Sequence, residues 1–244
     1  MVAAGDAARG LAQRPSGLLR LAVPRAVVPL LLQPLLSSFA EAYPEVVVEI
    51  VASEELVDLA KDGFDAGIRL GEFIAADMTV VRLTPSFRYA IVASPDYLAR
   101  RGRPEVPEDL HGHSCVRIRR SSGALAPWRV EDAGRPLELA VSGPLVVNDF
   151  PTMLGAALGG VGLAQVPEPI AVEDVVAGRL EEVLTAYASM TPGVFLYHSG
   201  RHQVLPKLRA FIDHVRSHPV HVISRSREST VRRLRDLEPP SRQT

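Results

Sequence analysis

Apolar residues fall along this chain in short, regular blocks. LLRLAV at 18–23 is almost continuously apolar, as in a buried strand, and Pro24-Arg25 ends it. Leu31, Leu35, Phe39 and Tyr43 then recur at the spacing of one helical face, with Pro34 tolerable only in the first turn. Pro44 stops that helix, and the β-branched VVVEIV of 46–51 predicts the next strand. Residues 54–62 read as a short helix, with acids in the first turn and Gly63 beyond its end. DAGIRL at 65–70 is a further strand, followed by strands at 79–83 and 89–93. Strand, helix, strand, helix, strand is the order of a parallel sheet with right-handed crossovers.

A second unit follows. Pro95 opens a helix that ends near Gly102, and a Pro-rich turn leads to strands at 115–118, 128–130, 137–141 and 145–147. Asn148-Asp149 precedes a helix over 151–158, then a Gly-rich turn and a strand at 162–166. A helix over 170–177 and strands at 180–184 and 194–198 complete this unit. The last periodic helix spans 205–215, with Leu208, Phe211, Ile212 and Val215 on one side. No internal repeat is visible.

Composition narrows the function classes. The chain has 244 residues, 47% of them hydrophobic, which suits one large domain or two small lobes with a real core. Net charge is −1, unevenly placed: six Arg against three acids in 221–244 leave the body at −4. A body without a basic face is not expected to grip DNA. The tail carries Arg225, Arg227, Arg232, Arg233 and Arg235, but acids interrupt them and no aromatics accompany them, so a disordered basic extension is expected over 221–244. One cysteine, Cys115, excludes an intramolecular disulfide. No apolar run reaches bilayer length and MVAAGDAARG lacks a signal-peptide core, so no membrane contact and a cytoplasmic location are expected.

The order of blocks carries a family likeness. LRLAVP, LLQPLLSSFAEAYPEVVVEI, ELVDLAKDGFDAGIRLG and YAIVASPDYLARRGRPEVPEDLHGHSC, then WRV, PLVVNDFPTMLGAALGGVGLAQVPEPIAVEDVVAGRLEEVL and LPKLRAFIDHV, resemble the effector-binding domain of LysR-type transcriptional regulators. The likeness runs over about 18–220, and many blocks in the right order make it far more specific than any short motif. It implies an α/β fold of two Rossmann-like lobes joined by two crossover strands, of the type II periplasmic-binding-protein kind. Lobe I would be 17–92 plus 201–220 and lobe II 93–200, with 1–16 as a flexible end of the linker helix. It also implies a small-molecule effector, a homodimer through the effector domains in which the 31–43 helix is a candidate surface, and transcriptional control. DNA would be met only through a winged helix-turn-helix, which this stretch of sequence lacks. An excised piece, a start placed too late and a truncated regulator are all compatible with that.

In open α/β sheets ligands bind beyond the carboxyl ends of the strands, near helix N-termini whose free N–H groups favour anions. That rule selects Pro24, Arg25, Ala26 and Val27 after the first strand, Ser53 and Glu54 after the second, and Gly71 and Glu72 after the third. It adds Ala93 and Ser94 at the expected lobe crossing, and Asn148, Asp149, Phe150 and Pro167 from the second unit. The resemblance places the effector pocket at these same turns. Arg25 stands where the family often has a small or hydroxyl residue. Its guanidinium offers a bidentate contact to an anionic effector, or else pairs with Glu54 or Glu72 and narrows the pocket. Arg69, in an otherwise apolar strand, is either a second cleft charge or the partner of Asp65 or Glu72. Asp149 fits a helix N-cap, and the Asn148 side chain is a weaker pocket candidate.

Other signals point nowhere chemical. His111, His113 and Cys115 do not make a four-ligand zinc pattern, so no metal is expected. Gly159-Gly160-Val161-Gly162 lies between helix and strand, the reverse of a dinucleotide loop, so no cofactor is expected. No nucleophile elbow or metalloprotease motif occurs, and Cys115 reads as an inert core thiol, so no catalytic residue and no enzyme are expected. Three other readings stand beside the sensor: a transporter's solute-binding protein, a small α/β enzyme, and a truncated regulator acting by heterodimerisation.

Overall fold

The computed structural model describes residues 14–71, 78–199 and 204–218. The Ala-rich stretch at 2–13, Glu72 and the basic tail lie outside those residues.

The first strand, β1 (Gly17–Val23), lies parallel to both β2 (Val46–Ala52) and β3 (Ala66–Leu70). Between β1 and β2 the chain makes a π-helical turn (Val28–Leu32) and then α1 (Gln33–Ala42). Pro29 lies at the start of this wide turn and Pro34 just beyond its end. Pro34 has no N–H to return to the carbonyl four residues back, and the Gln33 N–H reaches Val28 O, five residues back, instead. The predicted helical face is the one buried: Leu31, Leu35 and Phe39 are core residues and Tyr43 packs at its edge.

One expected helix does not form. Residues 54–62 are turns without a helix. A helix there would need the carbonyls of Glu54 and Glu55 for the N–H groups four residues on. Arg69 donates to both carbonyls, while the Asp58 N–H goes to Asp62 Oδ2 and the Asp58 carboxylate takes the N–H groups of Ala60 and Lys61. Side chains have taken over the local hydrogen bonding.

Two further strands, β4 (Thr79–Arg82) and β13 (Val194–His198), complete the first sheet in the order β2-β1-β3-β13-β4. Sequence order puts Val194–His198 with the second unit, but its hydrogen bonds run to β3 and β4 of the first. The last helix, α5 (Pro206–Ser217), packs on this sheet through Leu208, Phe211, Ile212 and Val215, the four residues its periodicity selects.

The second sheet is built on β5 (Phe87–Ala93), a strand that sequence order puts with the first unit. It is flanked by antiparallel β10 (Ala164–Pro167) and β11 (Glu181–Val183), with β12 (Met190–Thr191) pairing its start. Successive β5 residues divide between two cores, as the strand period of two requires. Ile91 and Ala93 pack with Tyr97, Leu98 and Cys115, near α2 (Pro95–Arg101). Ala90 and Val92 pack with Met153, Ala157 and Ala171, from α3 (Phe150–Leu158) and α4 (Glu168–Val176). Smaller pairs, β6 (Arg117–Ile118) with β9 (Val146–Val147) and β7 (Trp128–Asp132) with β8 (Arg135–Leu139), sit around this sheet.

The chain passes between the two units at two adjoining places. Leu83 and Thr84 leave the first sheet and Gly193 returns to it. The Leu83 N–H donates to Val194 O at 2.9 Å, and the Val194 N–H to the buried Thr84 Oγ1 at 2.9 Å. Gly193 has φ +104°, and a Cβ there would stand 2.4 Å from Pro85 O, so only glycine fits.

Candidate functional site

The turns after β1 and β2 meet beside the end of β3. After β1, Pro24 to Val27 forms a tight turn in which the Val27 N–H donates to Pro24 O at 2.9 Å. Pro24, Ala26 and Val27 are buried, and Arg25 alone in this turn is exposed. After β2, the Ser53 N–H donates to Val23 O at 2.9 Å, tying this turn to the first, and Ser53 Oγ accepts from the Glu55 N–H. The Glu54 carboxylate accepts the Arg25 N–H at 2.9 Å. Burial is the main influence on the Glu54 carboxyl and pushes it above the usual carboxylate range. The Arg25 N–H and the charges of Arg69 and Arg25 oppose that shift, and the Asp149 charge adds to it.

Arg69 is the buried cation of the group, 6% exposed. Its Nη1 donates to Glu54 O at 3.1 Å and its Nη2 to Glu55 O, while its Nε–H has no acceptor among the described residues. Of the two suggested partners, Asp65 pairs instead with Lys207 at 2.8 Å, and Glu72 lies outside the described residues. Through these two carbonyls Arg69 holds the turn after β2.

From the second unit, Asp149 completes the group. It is the N-cap of α3, its Oδ1 accepting the Thr152 N–H at 2.7 Å, as the sequence indicated. Its other oxygen lies 3.7 Å from Arg25 Nη1. Arg25 therefore faces Asp149 with its side chain, and Glu54 only with its backbone. Phe150, the next residue, packs against the cores of both units, with its ring 6.2 Å from that of Tyr89. Two cations and two carboxyl groups thus gather at one point of contact between the units.

The remaining candidates divide. Pro167 is buried opposite Tyr89 in the β10–β5 register, on the same side as Phe150. Gly71 donates to Gly193 O at 3.0 Å beside the crossing, and a Cβ there would meet the Phe195 ring at 2.6 Å. Asn148 is exposed. Ala93 and Ser94 belong elsewhere. The crossing lies at Thr84 and Gly193, and Ser94 stands about 16 Å further along the extended chain from Tyr89, where it caps α2. Sequence reasoning missed Tyr89, whose place against Phe150 depends on pairing that a lone strand does not reveal.

His113 Nδ1 is hydrogen-bonded to the Tyr97 hydroxyl at 3.1 Å, and burial pushes the Cys115 thiol up to about 12, far from thiolate chemistry at neutral pH. Among the described residues no group of three or more His, Cys, Asp or Glu side chains converges, and no helix is long and apolar enough to cross a membrane.

Known proteins share this architecture. The chain is 35% identical over 203 residues to the uncharacterised HTH-type transcriptional regulator YcaN of Escherichia coli K12, covering 83% of this chain and 66% of that protein. It is 30% identical over 207 residues to the HTH-type transcriptional regulator PgrR of the same organism, covering 84% and 69%. It thus spans about two thirds of the length of these relatives. The solved structure of CrgA, a LysR-type transcriptional regulator from Neisseria meningitidis, superposes with a TM-score of 0.74 at 28% identity, over 89% of this chain and 74% of that one. The CrgA regulatory domain alone matches with the same score at 27% identity, and is covered completely by 84% of this chain. Residues 12–219 match the LysR substrate binding domain, and the chain belongs to the LysR-type transcriptional regulators as their effector-binding part.

Proposed function

We propose that this chain senses a small anionic metabolite at the contact between its two units, and that Arg25 is the group that recognises it. The supporting observation is the Arg25–Asp149 pair. It is long, half exposed on the arginine side, and joins the first unit to α3 of the second. A ligand carboxylate can take the place of Asp149 on a guanidinium whose five donors suit a bidentate contact. The orphan Nε–H of Arg69 close behind adds a buried donor. Exchange of an internal carboxylate for an external one alters the bond between the units, and so their relative angle. That is how binding would reach the packing of a homodimer, with α1 among its surfaces, and through it a DNA-binding domain outside this chain. The site binds without turnover, and the protein works in the cytoplasm.

Thermal unfolding against small carboxylates, aromatic acids, amino acids and sugars tests this. A ligand at a hundredfold its Kd adds about 2.7 kcal/mol and raises the midpoint visibly. Arg25→Ala should then weaken a carboxylate hit by tenfold or more, as loss of a charge-assisted contact does. A hit that binds Arg25→Ala as tightly as the parent, or one that is chemically consumed, would overturn the reading.

A further inference from the structure

The charges gathered between the units balance as they stand. Arg25 and Arg69 are the cations, and Glu54 and Asp149 carry the carboxyl groups. An anion on Arg25 disturbs that balance. It takes the guanidinium from Asp149, yet that carboxylate stays close by, tethered through its bond from the Thr152 N–H. Three negative groups then share two cations in a partly buried space, where like charges are costly.

One of the three gives up its charge most readily. Asp149 caps α3, and a helix N-terminus favours a charged carboxylate. The arriving anion owes its contact with a guanidinium to its charge. Glu54 has neither support. Its carboxyl takes one hydrogen bond, from the uncharged Arg25 N–H, and no cation stands within ion-pair distance of it among the described residues. A protonated carboxyl keeps that bond, because it still accepts. Arg69 gives its donors to the Glu54 and Glu55 carbonyls, not to this carboxyl. The charged groups that act on Glu54 are Arg69 from β3, Arg25 from the turn after β1 and Asp149 from α3, while Glu55 beside it is exposed. Burial, the largest influence, already favours its neutral form.

We infer that this site loads a monoanion together with one proton from solvent, and that the Glu54 carboxylate takes up the proton. The proton returns to solvent when the anion leaves, so nothing is consumed. The inference rests on the Arg25 reading and adds the ligand class: an acid of single negative charge, since a dianion would leave one charge unbalanced. Affinity then weakens as pH rises, by up to about tenfold per unit wherever the empty site has lost the proton and the loaded site keeps it.

The test follows the Glu54 carboxyl by carbon NMR on the whole chain, with Glu54→Gln to assign its signal and the Arg25 Nε signal to report occupancy. Without ligand, Asp149→Asn should move the Glu54 titration to lower pH, because the anion facing Arg25 is gone. Lactate and benzoate are the monoanionic probes, malonate and succinate the dianionic ones. A monoanion that moves the Arg25 signal should move the Glu54 titration to higher pH. It should bind about tenfold or more weakly at pH 8 than at pH 5.5. Glu54→Gln, neutral at every pH, should flatten that dependence. A Glu54 titration identical in the parent and Asp149→Asn overturns the inference. So does a probe that moves Arg25 but not the Glu54 titration, a pH slope that survives Glu54→Gln, or a dianion bound more tightly than either monoanion. If no probe moves the Arg25 signal, it is the Arg25 reading that fails, and the ligand-free comparison still decides whether Glu54 answers to charge at Arg25.

Discussion

His214 shows how one side chain ties stability to pH. On α5 it is buried. Its Nε2 lies 2.9 Å from Ser38 Oγ on α1, its ring meets Phe39 edge-on at 5.3 Å and stacks on His218 at 4.1 Å. Burial first, and then the charge of His218, hold its imidazole below the ordinary histidine range. A histidine with a lowered folded value prefers to be neutral in the native state. Its contribution is therefore complete above about pH 6.5, the unfolded value, and is lost as pH falls below that. His113, lowered mainly by burial, acts with the same sign. The midpoint of thermal unfolding should fall on acidification from pH 7.5 to 5.5, and His214→Gln should remove part of that slope. An unchanged slope in the variant would show that the ring does not carry the effect.

At the scale of elements, α3 joins local helix chemistry to the site. Asp149 caps it and also faces Arg25. The two roles separate by substitution, because asparagine caps as well as aspartate but carries no charge. Asp149→Ala should cost about 1 kcal/mol in urea unfolding. Asp149→Asn should keep most of that stability and, by freeing Arg25, tighten whatever anion the site binds. Weaker anion binding in Asp149→Asn would assign the carboxylate a direct part in ligand contact. The cap was legible because Asp149 and Pro151 sit at the start of an apolar run. The turns over 54–62 were not. EELVDLAKD has good helix-forming composition, and what prevents a helix is a guanidinium fifteen residues away in sequence. Arg69 itself drew notice as a charge in an apolar strand, but its partners are backbone carbonyls, which sequence does not mark.

Over the whole molecule, hydrophobic periodicity located most strands and helices, since each buries the face its spacing defines. Which sheet a strand joins was less legible. Phe87–Ala93 and Val194–His198 are both apolar and look alike, yet they belong to different sheets. The assignment is made by long-range hydrogen bonds at the crossing, where Gly193 is the residue with least freedom to change. Gly193→Ala combines a left-handed backbone with a clash against Pro85 O. It should cost roughly 2–4 kcal/mol, lowering the unfolding midpoint by several degrees while secondary structure in circular dichroism persists at low temperature. A midpoint unchanged by that substitution would mean the crossing relaxes more freely than its contacts imply.

The same crossing has a bearing on synthesis. Thr84 and Val194, hydrogen-bonded neighbours, are separated by 110 positions in the chain. On the ribosome β1, β2 and β3 emerge early, but the strand that seals the far edge of β3 appears only after the entire second unit has been made. The nascent first sheet must wait with an open edge while its guest folds, exposed to whatever else can pair with it. The second unit is thus threaded through the first as an insert, and the length of that insert sets how long the host stays unfinished.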